Sequence, residues 1–150
     1  MRGGIIITVV LLAILAACNK HKFTTEPQVE VKSISPHTVH GGDILSVKGK
    51  YTDDEGDLDS IFIVYKWYNG AAVVRNDTFR YVFASLNLPP KTREADIQIN
   101  LEYQTNNRPD LVGLPGVPRD TTATFGLILT DKAAHRSAYS ESEKIRLIKP

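Results

Sequence analysis

An all-β chain, a β-sandwich of about seven antiparallel strands, is predicted by three observations. Apolar and polar residues alternate over most of the chain after residue 27, the period of two that marks half-buried strands. No apolar pattern of helical spacing runs longer than a turn in that region. Glycine, proline, asparagine and aspartate cluster at 35–42, 52–58, 69–70, 87–92, 105–120 and 131–140, where they punctuate the alternating runs as turns.

Each element follows from this pattern. Residues 28–34 open the domain. Residues 43–51 place Leu45, Val47 and Tyr51 on one side and Ser46, Lys48 and Lys50 on the other. Residues 60–68, SIFIVYKWY, are apolar on both faces, as befits a central strand covered on both sides. A further strand is expected at 78–83. The clearest alternation is at 95–104, with Ala95, Ile97, Ile99, Leu101 and Tyr103 opposite Asp96, Gln98, Asn100, Glu102 and Gln104. Residues 122–130 set Ala123, Phe125, Leu127 and Leu129 against threonines and Gly126, and 143–149 turns Ile145 and Leu147 inward.

The N-terminal segment stands apart from the fold. Arg2 gives a short positive region, and Ile5 to Ile14 form an apolar run shorter than the ~20 residues that a spanning helix needs. The run ends in Leu15-Ala16-Ala17-Cys18, which carries the chain's one cysteine. This segment resembles the lipobox of bacterial lipoproteins. The resemblance implies a signal peptide at 1–17, cleaved before Cys18, and lipidation (palmitate among the acyl chains) of that cysteine. Two or three acyl chains give a stable anchor where one would be marginal, since each buried methylene contributes ~0.8 kcal/mol. The same resemblance points, through Asn19, to the outer membrane, and the basic Lys20 and Lys22 favour its periplasmic face. Residues 18–27 are then the lipidated cysteine and a polar tether, and 28–150 the domain.

Without residues 1–17 the chain loses Arg2 and is formally neutral. That balance supplies no basic surface for nucleic acid. With Cys18 taken by lipid, no intramolecular disulfide is possible, and stability must come from packing or from a metal.

Two stretches, VKSISPHTVHGGDILSVKGKYTDDEGDLDSI at 31–61 and LILTDKAAHRS at 127–137, resemble the immunoglobulin-like domains common in bacterial lipoproteins, including polycystic-kidney-disease-type and cadherin-like modules. The first is similar to an A-strand, proline turn, B-strand and acidic B–C loop, the second to an F-strand and the loop after it. The inter-sheet cysteine pair and the tyrosine corner of antibody domains are missing.

Within YTDDEGDLDS at 51–60, five acids surround Gly56. Counted from Asp53, the glycine and the twelfth position do not fit an EF-hand, which needs glycine sixth and glutamate twelfth. In a sandwich, however, the B–C and F–G loops share one end. Asp53, Glu55, Asp57 and Asp59 would then meet Asp131 and offer a calcium ion the oxygen ligands it takes. The other reading is a solvated turn, with Gly56 in a left-handed conformation and the acids facing water.

His37 and His40 flank a turn, His21 falls in the tether and His135 in the F–G loop; with no free cysteine this is a poor zinc set. The stretch 105–120, TNNRPDLVGLPGVPRD, is long for an irregular loop, and its prolines stiffen it. Its Leu111, Val112, Leu114 and Val117 either meet a partner or close the bottom of the core. Tyr65, Trp67, Tyr68, Phe79, Tyr81 and Phe83 gather near the 69–77 turn, as core or as a surface for stacking sugars. Asp59-Ser60-Ile61 and Asp120-Thr121-Thr122 are similar to a short bacterial O-glycosylation motif.

The expectation is a non-catalytic, lipid-anchored envelope protein that binds another envelope protein or a glycan, or serves as structure. The alternatives are a calcium-stiffened spacer and a small envelope hydrolase or lyase built around His37, His40 or His135.

Overall fold

The computed structural model describes residues 24–82, 89, 91–105 and 107–150. Residues 1–17 (expected to be a signal peptide), Cys18, His21, most of the expected tether and Phe83 lie outside the described residues. Ten strands and no helix occur among the described residues: β1 Gln28–Ser35, β2 Thr38–Val39, β3 Ile44–Thr52, β4 Leu58–Asn69, β5 Ala72–Val82, β6 Glu94–Tyr103, β7 Val112–Leu114, β8 Thr121–Asp131, β9 Ser140–Glu141 and β10 Ile145–Leu147.

They form two sheets, one ordered β1-β3-β6-β7 and the other β2-β10-β8-β4-β5, with β9 on β8. The sheets face each other across one core, so the chain is a β-sandwich. Alternation sets the register within each sheet, because a slip of one residue would turn a whole apolar face outward. Thus Leu45 lies opposite Leu101 and Val47 opposite Ile99. β4 is central, between β5 and β8, and buries residues on both faces as its composition requires. At the middle of the core Tyr65 stacks on Phe125, centroids 4.8 Å apart, and meets Trp67 edge-on at 5.5 Å.

Three features depart from the expectation of about seven antiparallel strands. β2, β7 and β9 are additional and very short, and β2–β10 and β6–β7 pair in parallel. β5 starts at Ala72 rather than near residue 78, because its first residues are exposed on both faces and leave no alternation to read. Most of the aromatic group is core rather than sugar-stacking surface: Tyr65 and Trp67 are buried, and Phe79 and Tyr81 pack against the cluster.

The sandwich has two distinct ends. Thr24–Gln28, the 53–57 loop, residues 91–93 and the 131–136 turn lie at one, which we call the acidic end. The Asn69–Gly70 turn, the 104–120 segment and the C-terminus lie at the other. Tyr103 ties the far end together: its buried hydroxyl donates to the Ile148 carbonyl at 3.1 Å and accepts the Val117 N–H at 3.2 Å.

Candidate functional site

The acidic end is built from three segments. Asp53 follows β3 directly, and its N–H donates to the Arg93 carbonyl at 2.8 Å. The chain then turns at Gly56 (φ 63°), where an added Cβ would lie 2.6–2.8 Å from the Lys91 backbone. Glycine is required there by both conformation and space. The Asp57 N–H donates to Asp53 Oδ2 at 2.9 Å, and Lys132 N–H donates to the Asp57 carbonyl at 3.2 Å. Leu58 pairs with Asp131 at the end of β8.

One carboxylate oxygen from each of Asp53, Asp57 and Asp131 lies within 4.8 Å of the others. Asp53 is 0% and Asp131 4% exposed. Asp53 Oδ1 and Asp57 Oδ1 are buried with no hydrogen-bond partner. Carboxylates that close repel by on the order of 3 kcal/mol per pair at an effective dielectric near ~20. Burial first, and then the charges of Asp57, Glu55 and Asp131, push the Asp53 carboxyl above its ordinary value, against the pull of the Asp57 N–H.

His135 faces Asp131 from outside the group. Its N–H donates to Asp131 Oδ1 at 2.8 Å, and its Nδ1 lies 2.7 Å from Oδ2. Asp131 holds the imidazole above its ordinary pKa by this hydrogen bond and by its charge.

Of the five acids proposed as ligands, the structure brings together Asp53, Asp57 and Asp131. Glu55 is exposed and acts on the group only through its charge. Asp59 falls at a register shift between Leu58 and Ser60, where the strand carries one extra residue against β8. Its carboxylate accepts instead from Ser60 Oγ at 2.6 Å and Arg80 Nη2 at 3.0 Å. Ser60, buried in that arrangement, is closed to glycosylation in the folded chain.

The 105–120 segment resolves differently. Leu114 and Val117 are buried in the core and Val112 packs against it, so these side chains close the far end of the sandwich. Leu111 is partly buried. His37 lies 3.7 Å from Glu143, both exposed, while His40 belongs to a turn in which its N–H donates to Asp43 Oδ2 at 2.7 Å. The far end also carries an open hollow of about 500 Å³, lined by Trp67, Tyr68, Val74, Arg75, Pro118 and Arg119. Arg75 lies over the Trp67 ring at 4.9 Å, and Val73 and Val74 beside it are 50% and 58% exposed.

Glu102 was not visible as a special residue, because alternation assigns it to the solvent face. It is 2% exposed, and its carboxylate accepts from Thr105 Oγ1 at 2.6 Å and from the N–H groups of Asn107 and Arg108 at 3.1 Å. These bonds, that from Thr105 foremost, hold it below the ordinary glutamate value of 4.5. A lowered folded pKa contributes stability above the ordinary value that is lost as pH falls through the folded one. Resonances of the Asn107 and Arg108 amides are therefore expected to shift toward a disordered position on acidification below the ordinary glutamate range. Glu102→Gln should remove that transition; its persistence in the variant would assign it to another group.

Compared by sequence, the chain matched no protein-family profile and no curated protein. Compared by structure, it is similar to part of the Pseudomonas fluorescens alkylpurine DNA glycosylase AlkC, solved with DNA containing an abasic site analog (TM-score 0.50, 6% identity, 83% of this chain and 31% of that one). Looser likenesses are the Bacillus subtilis sporulation control protein Spo0M (0.46, 8%, 85% and 51%) and a Pyrococcus furiosus CARDB domain in complex with di-metal ions (0.34, 9%, 86% and 100%). The chain thus spans about a third and about half of the first two, and the likeness to the first concerns the fold alone.

Proposed function

We propose that this chain is a non-catalytic lipoprotein, anchored through Cys18 to the periplasmic face of the outer membrane. There it would present an immunoglobulin-like sandwich for binding or as structure. The observation that carries this reading is the charged start, apolar run and Leu15-Ala16-Ala17-Cys18 ending placed ahead of the first strand. Such an anchor would also set a direction. The Thr24 carbonyl accepts the Asp54 N–H at the acidic end, and six residues from Cys18 reach at most roughly 20 Å. The acidic end therefore faces the membrane and the far end, with its hollow, faces outward. An envelope protein or a glycan would meet the hollow at its exposed Val74 and Arg75, which cover the buried Trp67, rather than the Leu114 and Val117 side chains.

The reading as a small hydrolase or lyase would rest on the His135–Asp131 pair, which lies at the opposite end from the hollow, or on the His37–Glu143 pair, whose side chains are both exposed. The anchor is tested by growing cells that express the full chain with an alkyne-bearing palmitate. The wild type should carry the label and sediment with membranes. Cys18→Ser should lose the label and the processed form. An unlabelled wild type would defeat the proposal.

A further inference from the structure

We infer that Asp53, Asp57 and Asp131 together hold one calcium ion, which clips the two sheets to each other at the acidic end. Asp53 leaves β3 of one sheet, whereas Asp57 leads into β4 and Asp131 ends β8 of the other. A cation shared by the three would join the sheets where the one-cysteine chain has no disulfide to do so.

Three observations carry this. The first is convergence: loops from both sheets bring three carboxylates within 4.8 Å although each repels the others. The second is the pair of orphaned oxygens. A buried carboxylate oxygen without a donor forfeits its hydration for nothing, and both Asp53 Oδ1 and Asp57 Oδ1 are in that position. Asp53 is fully buried, so water from bulk does not reach it. The third is supply. Two nearby guanidiniums are engaged outside the group: Arg93 pairs with Asp54 at 3.7 Å and Arg80 with Asp59 at 3.0 Å. His135 contacts Asp131 through Nδ1 and so positions that carboxylate.

The chemistry of the donors selects the ion. All three are hard carboxylate oxygens, which excludes the nitrogen and sulfur set that zinc prefers. Calcium holds oxygens at ~2.3–2.6 Å, so two of its ligands are at most ~5 Å apart, a span that the observed separations meet. Magnesium keeps most of its water and takes one or two carboxylates rather than three. The inference is independent of the lipid anchor, and loss of Cys18 leaves it untouched.

The test uses the full chain purified in detergent, stripped with chelator and titrated with calcium chloride alone. Calorimetry should give one calcium per chain. At a hundredfold excess over Kd the melting temperature should rise by roughly 5–10 °C. Magnesium at the same concentration should give less than half of that rise. Asp53→Asn should melt no lower than the wild type in chelator, since it removes a repulsion, yet should lose the calcium-dependent rise. Asp57→Asn, at a partly exposed position, supplies the same test if Asp53→Asn fails to fold. No calcium heat and no change in melting up to millimolar calcium would overturn the inference. So would a rise retained in both variants, or an equal rise with magnesium.

Discussion

Phe125→Ala is expected to lower folding stability by about 3–5 kcal/mol, the range for removing a buried aromatic ring. The ring is fully buried at the middle of β8 and stacks on Tyr65, its partner across the strand pair, at 4.8 Å and 11°. Truncation removes the apolar surface transferred from water and leaves a cavity that Tyr65 cannot fill, because its own position is fixed by β4 between two neighbours. Set against a total stability of roughly 5–15 kcal/mol, such a loss is a large fraction of the whole. Denaturant unfolding of the two chains should show the lower midpoint at an unchanged slope. Phe125→Leu, which keeps most of the volume, should cost less than about 2 kcal/mol. A loss below about 1 kcal/mol for the alanine variant would mean that Tyr65 and Phe125 do not form the centre of the core.

Gly56→Ala is expected to be the most damaging change in the acidic loop, at about 2 kcal/mol or more. Two effects add. A left-handed φ of 63° is costly for alanine, and its Cβ would meet the Lys91 backbone at 2.6–2.8 Å. Backbone cannot swing aside as a side chain can, and the Asp53–Arg93 hydrogen bond holds the two loops against each other. Gly70 supplies the control. It has a similar φ of 60° but nothing within 4 Å of an added Cβ. Gly70→Ala should therefore report the conformational cost alone, about 1 kcal/mol. Equal losses at the two positions would show that the contact between the 53–57 loop and Lys91 is unimportant.

How much of this was legible in the sequence depends on how far each residue obeys a period. β3, β4, β6 and β8 could be read because one face, or for β4 and β8 both faces, is buried or partly buried along nearly their whole length. The first half of β5 has no buried face, and β2, β7 and β9 are too short to show alternation at all. Leu114 and Val117 were ambiguous because an apolar residue in a proline-rich loop can face either way. The pairing of β7 with β6 turns Leu114 into the core, and the bond from the Val117 N–H to the Tyr103 hydroxyl holds Val117 there.

The acidic site was partly legible for the same reason. Loop clustering at one end of a sandwich follows from topology, so Asp131 could be brought to Asp53 and Asp57 before any coordinates. The exit of Asp59 could not, because it depends on a local shift of register and on Arg80, which lies far away in sequence. Glu102 hid behind its own alternation: Thr105, Asn107 and Arg108 engage a position that the strand pattern assigns to water. The His135–Asp131 pair follows from a tight turn after β8, with Ala134 at φ 68°, that composition alone does not specify.

The most direct test of the calcium clip is amide hydrogen exchange of the full chain in detergent, with calcium and with chelator. The informative amides are Asp57, Lys132 and His135, each of which donates a hydrogen bond within the acidic end. Calcium should slow their exchange by roughly tenfold or more while leaving Val117 at the far end closer to its rate in chelator. Exchange at the acidic end that is the same with calcium and with chelator would contradict the clip and return Asp53, Asp57 and Asp131 to a metal-free turn.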